Sequence, residues 1–202
     1  MSAVTERQIK ESDKLIEALG RRVEEMSFAQ THLEAHQVIN ANLRVRREAD
    51  DEVGADWKRA IEVRDEVMAE YLDLYWDIEA DLVDQLGKGH PTLEEFLWAG
   101  PTNLDRPFEV LSVLEKMQAG FVDHPELPFA EGYSGQLPAA IESLGNAIQE
   151  AERLENAVRE SARGRQDTEE SYRKARAKTK RRLVRYFKAG RYPPQLDEFL
   201  GE

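Results

Sequence analysis

Apolar side chains recur at helical spacing along most of the chain, and they predict four long helices. These helices are expected at about 3–47, 56–86, 137–162 and 168–189. In the first, two apolar rows with sevenfold spacing are typical of a coiled-coil seam. A polar break at 48–56, which contains Gly54, would separate the first two helices. Gly164 lies in a polar stretch that permits either a break between the last two helices or one continuous helix.

A run of eleven residues occurs twice and predicts an internal repeat. Residues 87–97 (GKGHPTLEEFL) recur at 190–200 (GRYPPQLDEFL) with six identical positions. In both copies Gly follows a helical pattern and Pro comes four residues later, a combination that ends a helix. Each copy would therefore close one helical hairpin. Shorter amphipathic segments predict connecting helices near 92–98 and 105–119.

Two such hairpins predict an all-α fold. In water each hairpin would expose an apolar stripe, so we expect the two to pack into an elongated four-helix bundle. Residues 1–120 would form the first hairpin with the short helices, and residues 137–202 the second. Between them, residues 121–136 would form a packed connection rich in Gly, Pro and aromatic side chains. All three segments are expected to belong to one domain.

Composition narrows the classes of function. The chain has 202 residues and no Cys, which excludes disulfides and thiol catalysis. Charged residues make up 34% and hydrophobic residues 41%, which favours long helices over a compact α/β enzyme. Residues 1–10 lack the apolar core of a signal peptide, and no run approaches the roughly 18 apolar residues of a membrane span. A cytoplasmic protein without membrane insertion is therefore expected.

Charge is divided sharply along this acidic chain, whose formal net charge is −12. Residues 65–86 contain eight acids and no base, and residues 173–191 contain ten bases and no acid. The two stretches could pair within one molecule, or the acidic half of one molecule could meet the basic half of another. Exposed ion pairs contribute only about 0–1 kcal/mol each, so they would select a partner rather than supply the stability.

Motifs for metal binding and catalysis are weak. His32 and His36 are four residues apart on a helix, but no third ligand is evident, so we interpret them as part of a polar helix surface. A di-iron bundle would need Glu-x-x-His motifs, and none of the four His has Glu three residues before it. The sequence also lacks a nucleophile elbow and a phosphate-binding loop. We therefore expect no catalytic residue, no cofactor and no metal.

The sequence thus predicts a non-catalytic structural or adaptor protein that acts through protein–protein interaction, including self-association into homo-oligomers. Nucleic-acid binding by the basic helix 173–191 is the alternative. The candidate interaction residues are charged residues of the two stretches and one Trp, which would either cap the bundle end or anchor a partner. They are Arg173, Lys174, Lys178, Lys180, Arg181, Arg182, Arg185, Lys188, Asp73, Asp77, Asp81 and Trp98.

Overall fold

The structure, a computed structural model, describes residues 3–97 and 104–188 together with residue 199. This part of the chain contains five α-helices and no β-strand. They are α1 (Ala3–Gly20), α2 (Ala29–Leu86), α3 (Leu93–Phe96), α4 (Pro107–Asp123) and α5 (Ala130–Lys188). The predicted all-α helical bundle is confirmed. The connecting helices predicted near 92–98 and 105–119 correspond to α3 and α4.

The first helix is shorter than predicted, because the chain turns at 21–28 rather than at 48–56. This turn buries Met26 in the core and brings buried Ala29 to the start of α2. Asp13 of α1 accepts a hydrogen bond from Asn40 of α2 at 2.7 Å, so the two helices lie side by side. The apolar rows that predicted one helix over 3–47 are the inner sides of two helices.

The polar segment 48–56 lies inside α2 and contacts α5 there. Asp50 accepts a hydrogen bond from Ser161 and forms an ion pair with Arg165. A single Gly costs only about 1 kcal/mol of helix stability relative to Ala. Gly54 therefore does not end α2, which Asp50 holds against α5 just before this position.

α5 is unbroken, which agrees with the continuous alternative. Gly164 lies inside it, and a Cβ at this position would be 3.2 Å from the guanidinium carbon of Arg46. The missing side chain allows α2 and α5 to approach closely here, so this Gly serves packing instead of ending a helix. The predicted connection 121–136 is also shorter in the structure, because only residues 124–129 separate α4 from α5.

Contacts divide the chain into two compact units. Unit 1 comprises Met1–Ala55 and Ala157–Glu202, and unit 2 comprises Asp56–Asn156. α1 belongs to unit 1, α3 and α4 belong to unit 2, and α2 and α5 each contribute one part to each unit. Each unit therefore contains residues from both of the predicted segments, 1–120 and 137–202.

In unit 1 the core lies between α1, the start of α2 and the end of α5. Its largest apolar cluster consists of Leu15, Ala18, Leu19, Met26, Ala29, Leu183, Phe187 and Phe199. A second cluster joins Ile9, Leu43 and Tyr172. The hydroxyl of Thr5 donates to the carboxylate of Glu169 at 2.6 Å, and both side chains are buried. Apolar and polar contacts thus hold the end of α5 that carries the basic stretch.

Unit 2 shows how the first copy of the repeated element ends α2. Gly87 and Gly89 have φ angles of 88° and 84°, in the left-handed region that Gly adopts without strain. The N–H of Gly87 still donates to the carbonyl of Val83 at 2.9 Å, which closes the last turn. The role predicted for this Gly is confirmed.

The same element then packs α3 onto α4. Phe96 is completely buried, and its ring occupies the space beside Gly120, where a Cβ would lie 2.6 Å from the nearest ring carbon. Lys116 of α4 donates to the carbonyl oxygens of Glu94 and Leu97 at 2.5 and 2.6 Å. A cation at the C-terminal end of a helix stabilises its unpaired carbonyl groups, so Lys116 caps α3.

Helix lengths follow the order that an internal repeat would produce. α1 and α4 have 18 and 17 residues, and α2 and α5 have 58 and 59, in the same order. Identical buried residues recur 101 positions apart at Ala29/Ala130, Leu43/Leu144 and Leu82/Leu183, whereas residues 87–97 and 190–200 are 103 positions apart. Phe199 is buried like its counterpart Phe96, but the other residues of the second copy, 190–200, lie outside the described residues. The repeat stays a prediction.

Candidate interaction surfaces

The basic stretch forms the outer face of α5 in unit 1. Seven of its bases are exposed: Arg173, Lys174, Lys178, Lys180, Arg181, Arg182 and Arg185. On the inner side of the same helix Tyr172, Thr179 and Leu183 are buried, and they orient the bases outward. Lys188 is the last residue of α5, and its side chain lies outside the described part of the structure.

Four of these bases line a cleft between the start of α2 and the end of α5, which we call the basic cleft. It has a volume of about 720 Å³ and is lined by Lys178, Arg181, Arg182 and Arg185 on α5 and by Ser27, Phe28, Thr31 and His32 on the other side. Elsewhere on the stretch, Lys174 forms an ion pair with Glu170 at 2.6 Å. Within the described ranges, no carboxylate forms an ion pair with any of the four cleft bases. Arg182 instead lies over the ring of Phe28, 5.5 Å from its centroid.

Beside the cleft, a polar network joins α2 to α5. The hydroxyl oxygen of Thr179 lies 2.7 Å from Nδ1 of His32 and 2.9 Å from Nε2 of His36. Nδ1 of His36 is buried and has no hydrogen-bond partner among the described residues. An unpaired buried N–H is rarer than an unpaired acceptor, so we assign the proton of His36 to Nε2, which donates to Thr179. The hydroxyl of Thr179 then donates to His32.

The interpretation of this histidine pair as a polar helix surface is wrong for His36, which is completely buried. Burial lowers the pKa of His36 to about 4, and repulsion from His32 contributes to the same shift. The pKa of His32 is lowered by burial and then by the positive charges of Lys178 and Arg182. Both rings are therefore neutral at pH 7. They share Thr179, and the described residues contain no group of three His, Asp or Glu side chains that could hold a metal ion.

An acidic face covers the outer side of α2 in unit 2. Its carboxylates are all exposed and recur at helical spacing: Glu66, Glu70, Asp73, Asp77, Asp81 and Asp84. The hydroxyl of Tyr133 donates to Asp81 at 2.6 Å and ties this face to α5. Burial, and then the hydrogen bond to Asp81, raise the pKa of Tyr133 to about 12, so this contact persists at neutral pH.

Trp76 belongs to the acidic face, a position that the sequence interpretation missed. Its side chain is 45% exposed. The available signal was its position between Asp73 and Asp77, since the buried row through Tyr75, Ile78 and Leu82 is complete without it. Trp98, the Trp among the candidate interaction residues, lies outside the described residues.

The two units differ in the sign of their charge. The sequence of unit 2 has 22 acidic and 7 basic residues, a net charge of −15, whereas unit 1 has 18 acidic and 21 basic residues, a net charge of +3. The acidic and basic stretches belong to different units, so they are not neighbouring helices within either one. The chain, whose net charge is negative, thus has one strongly negative unit and one slightly positive unit.

Comparisons with protein families, curated proteins and solved structures find no match. Among the described helices, none combines the length and the apolar character needed to span a bilayer. Fold and surfaces together define an all-α helical-bundle protein with two exposed faces of opposite charge.

Proposed function

We propose that the protein is a non-catalytic helical adaptor that associates with a second copy of itself. In the proposed assembly, the acidic face of unit 2 in one molecule binds the basic outer face of α5 in another. The observation that carries this proposal is the opposite charge of the two units, −15 and +3, with both faces exposed. Because the two faces differ, association produces either a two-fold dimer with two reciprocal contacts, a closed ring or an open chain.

Charge alone would make this contact specific but weak. Exposed ion pairs contribute about 0–1 kcal/mol each, while opposite potentials raise the association rate and fix the register. Trp76 supplies an apolar anchor on the acidic face, and Tyr186, also 45% exposed, lies beside the basic cleft. Aromatic residues at the centre of an interface contribute most of its binding free energy. The cations on α5 can also pack on the face of an exposed indole.

Nucleic-acid binding by the basic stretch 173–191 is a second candidate function. The observation that favours it is the set of cleft bases that have no ion pair with a carboxylate in the described part of the chain. The net charge of −12 opposes it, because the rest of the molecule repels a phosphate backbone. Titration of the protein with an oligonucleotide, compared with tripolyphosphate, tests this candidate.

Sedimentation velocity at two salt concentrations tests the proposed self-association. At about 0.02 M salt the charged faces interact over more than 10 Å, whereas at about 1 M the screening length is about 3 Å. We expect oligomers at low salt that dissociate to monomers at high salt. A monomer at both concentrations would contradict the proposal.

Matched variants identify the face that binds. Asp73→Asn together with Asp77→Asn removes two charges from the acidic face, and we expect it to weaken association roughly tenfold. The control is Asp51→Asn with Glu52→Gln, two exposed acids of the same helix in unit 1. Both variants change the net charge equally, so equal weakening would show that only the total charge matters.

A further inference from the structure

The basic cleft is a concave concentration of positive charge. Its four bases lie within eight residues at the end of α5 and line one wall of a single cavity. We propose that the cleft binds a compact ligand that carries two or more phosphate groups. This inference goes beyond the proposed self-association and does not depend on it.

Charge favours an anion with several negative groups. Among the described residues no carboxylate pairs with Lys178, Arg181, Arg182 or Arg185, so this part of the structure presents four like charges close together. Arg forms paired hydrogen bonds with phosphate oxygens, and Lys adds a point charge. One phosphate can engage one or two of these side chains, so four bases match a ligand with at least two phosphates.

The opposite wall adds neutral hydrogen-bond donors. Ser27 and Thr31 contribute hydroxyl groups, and His32 contributes a ring that shares its Nδ1 with Thr179. These residues lie at the N-terminal end of α2, a helix of 58 residues, where the helix dipole is positive. The hydroxyl groups and the dipole therefore favour the same class of ligand as the four bases.

The aromatic ring in the cleft argues for phosphate recognition without base stacking. One face of Phe28 is covered by Arg182, and its other ring contacts are with His32 and Tyr186 at centroid distances of 5.6 and 5.7 Å. Proteins that bind single-stranded nucleic acid stack successive bases on free aromatic faces. The geometry thus points to a compact polyphosphate.

His32 reports occupancy of the cleft. Burial lowers the pKa of His32, and the positive charges of Lys178 and Arg182 lower it further. A bound polyanion offsets those positive charges, so the pKa of His32 rises on binding. Nuclear magnetic resonance of the histidine rings measures this rise. His124, which does not line the cleft, serves as the internal reference.

The experiment is calorimetric titration of the full chain with sodium tripolyphosphate at near-physiological salt, compared with sulfate at matched ionic strength. It uses the Asp73→Asn/Asp77→Asn protein, so that self-association does not compete for the basic face. We expect saturable binding of one tripolyphosphate per chain and a higher pKa of His32. Sulfate that binds equally well, or no binding of either anion, would overturn the proposal.

Variants and other probes complete the test. Arg181→Ala with Arg185→Ala should weaken tripolyphosphate binding by about tenfold or more, since each charged hydrogen bond contributes more than about 1 kcal/mol. Arg173→Ala with Lys174→Ala removes two exposed bases of the same helix outside the cleft and should leave binding within about twofold. Equal losses in the two variants would exclude the cleft as the site.

Two further titrations distinguish a lipid headgroup from a free polyphosphate as the ligand. In the first, the protein binds phosphatidylcholine vesicles only when they contain phosphatidylinositol bisphosphate, and tripolyphosphate displaces it. That result would support the site and identify the ligand as a lipid headgroup. Binding of tripolyphosphate without vesicle binding would support a free polyphosphate. A single-stranded or duplex oligonucleotide that binds more tightly than tripolyphosphate, with the steep salt dependence of backbone contacts, would overturn the compact ligand in favour of nucleic acid.

Discussion

Replacing Phe96 with alanine is expected to lower the free energy of unfolding by about 3–5 kcal/mol, as for other fully buried aromatic residues. The ring has no exposed surface and packs beside Gly120 and against Phe121, with a centroid distance of 4.9 Å. Because Gly120 has no side chain to fill the space, truncation leaves a cavity between α3 and α4. Urea denaturation followed by circular dichroism measures the loss as a lower transition midpoint.

Two glycine variants test the same contact from the other side. Gly120→Ala would place a methyl group 2.6 Å from the buried ring, and overpacking of this kind costs about 1–3 kcal/mol. Gly145→Ala, in α5 of the same unit, meets no atom within 4 Å and should be neutral or stabilising by up to about 1 kcal/mol. If Phe96→Ala and Gly120→Ala both behave like Gly145→Ala, α3 does not pack on α4 as described.

Acidification is expected to destabilise the protein through His36. The pKa of His36 is about 4 in the folded chain, against roughly 6.5 for an unfolded one. The unfolded chain binds more protons between these values, so the stabilising contribution is complete above about pH 6.5 and is lost as the pH falls toward 4. The full loss corresponds to about 3 kcal/mol. Urea denaturation at a series of pH values between 7 and 5, where few carboxylates titrate, measures the start of the loss.

The matched variants for this prediction are two His→Gln substitutions. His36→Gln keeps an N–H donor near Thr179 and removes the titrating ring, so the slope of stability against pH should flatten. His124 is partly buried, and hydrogen bonds to Glu95 and then Glu126 raise its pKa, so its contribution has the opposite sign and is lost as the pH rises. His124→Gln should therefore retain the loss on acidification. An unchanged slope in His36→Gln would contradict the role of His36.

The sequence predicted helix ends correctly where a residue at the end itself determines them. Gly87 ends α2 because it adopts a left-handed conformation, and Pro107 lies in the first turn of α4. The prediction was wrong where a helix is stabilised by a contact with residues far away in the sequence. The break expected at 48–56 is absent because Asp50 contacts Ser161 and Arg165, more than 100 residues away. Spacing along the chain carries no information on that contact.

The same distinction between local and distant causes applies to the surfaces. Charge runs predicted the exposed faces around Asp77 and Arg181 because long charged side chains are almost never fully buried unless they are paired. The basic cleft was not predicted, since it needs the start of α2 to lie against the end of α5, as the His32–Thr179 contact shows. The spacing of His32 and His36 correctly placed both on one side of a helix. It could not reveal the buried hydroxyl of Thr179 that they share.

Charge reversal in two separate variants tests most directly whether the acidic face of one molecule binds the basic face of another. The first variant combines Asp73→Lys with Asp77→Lys, and the second combines Arg181→Glu with Arg185→Glu. Sedimentation at low salt should show that each variant alone is monomeric, because its two faces then repel each other, and that an equal mixture forms mixed oligomers. A mixture that stays monomeric while the wild type associates, or variants that each assemble alone as the wild type does, would contradict the account.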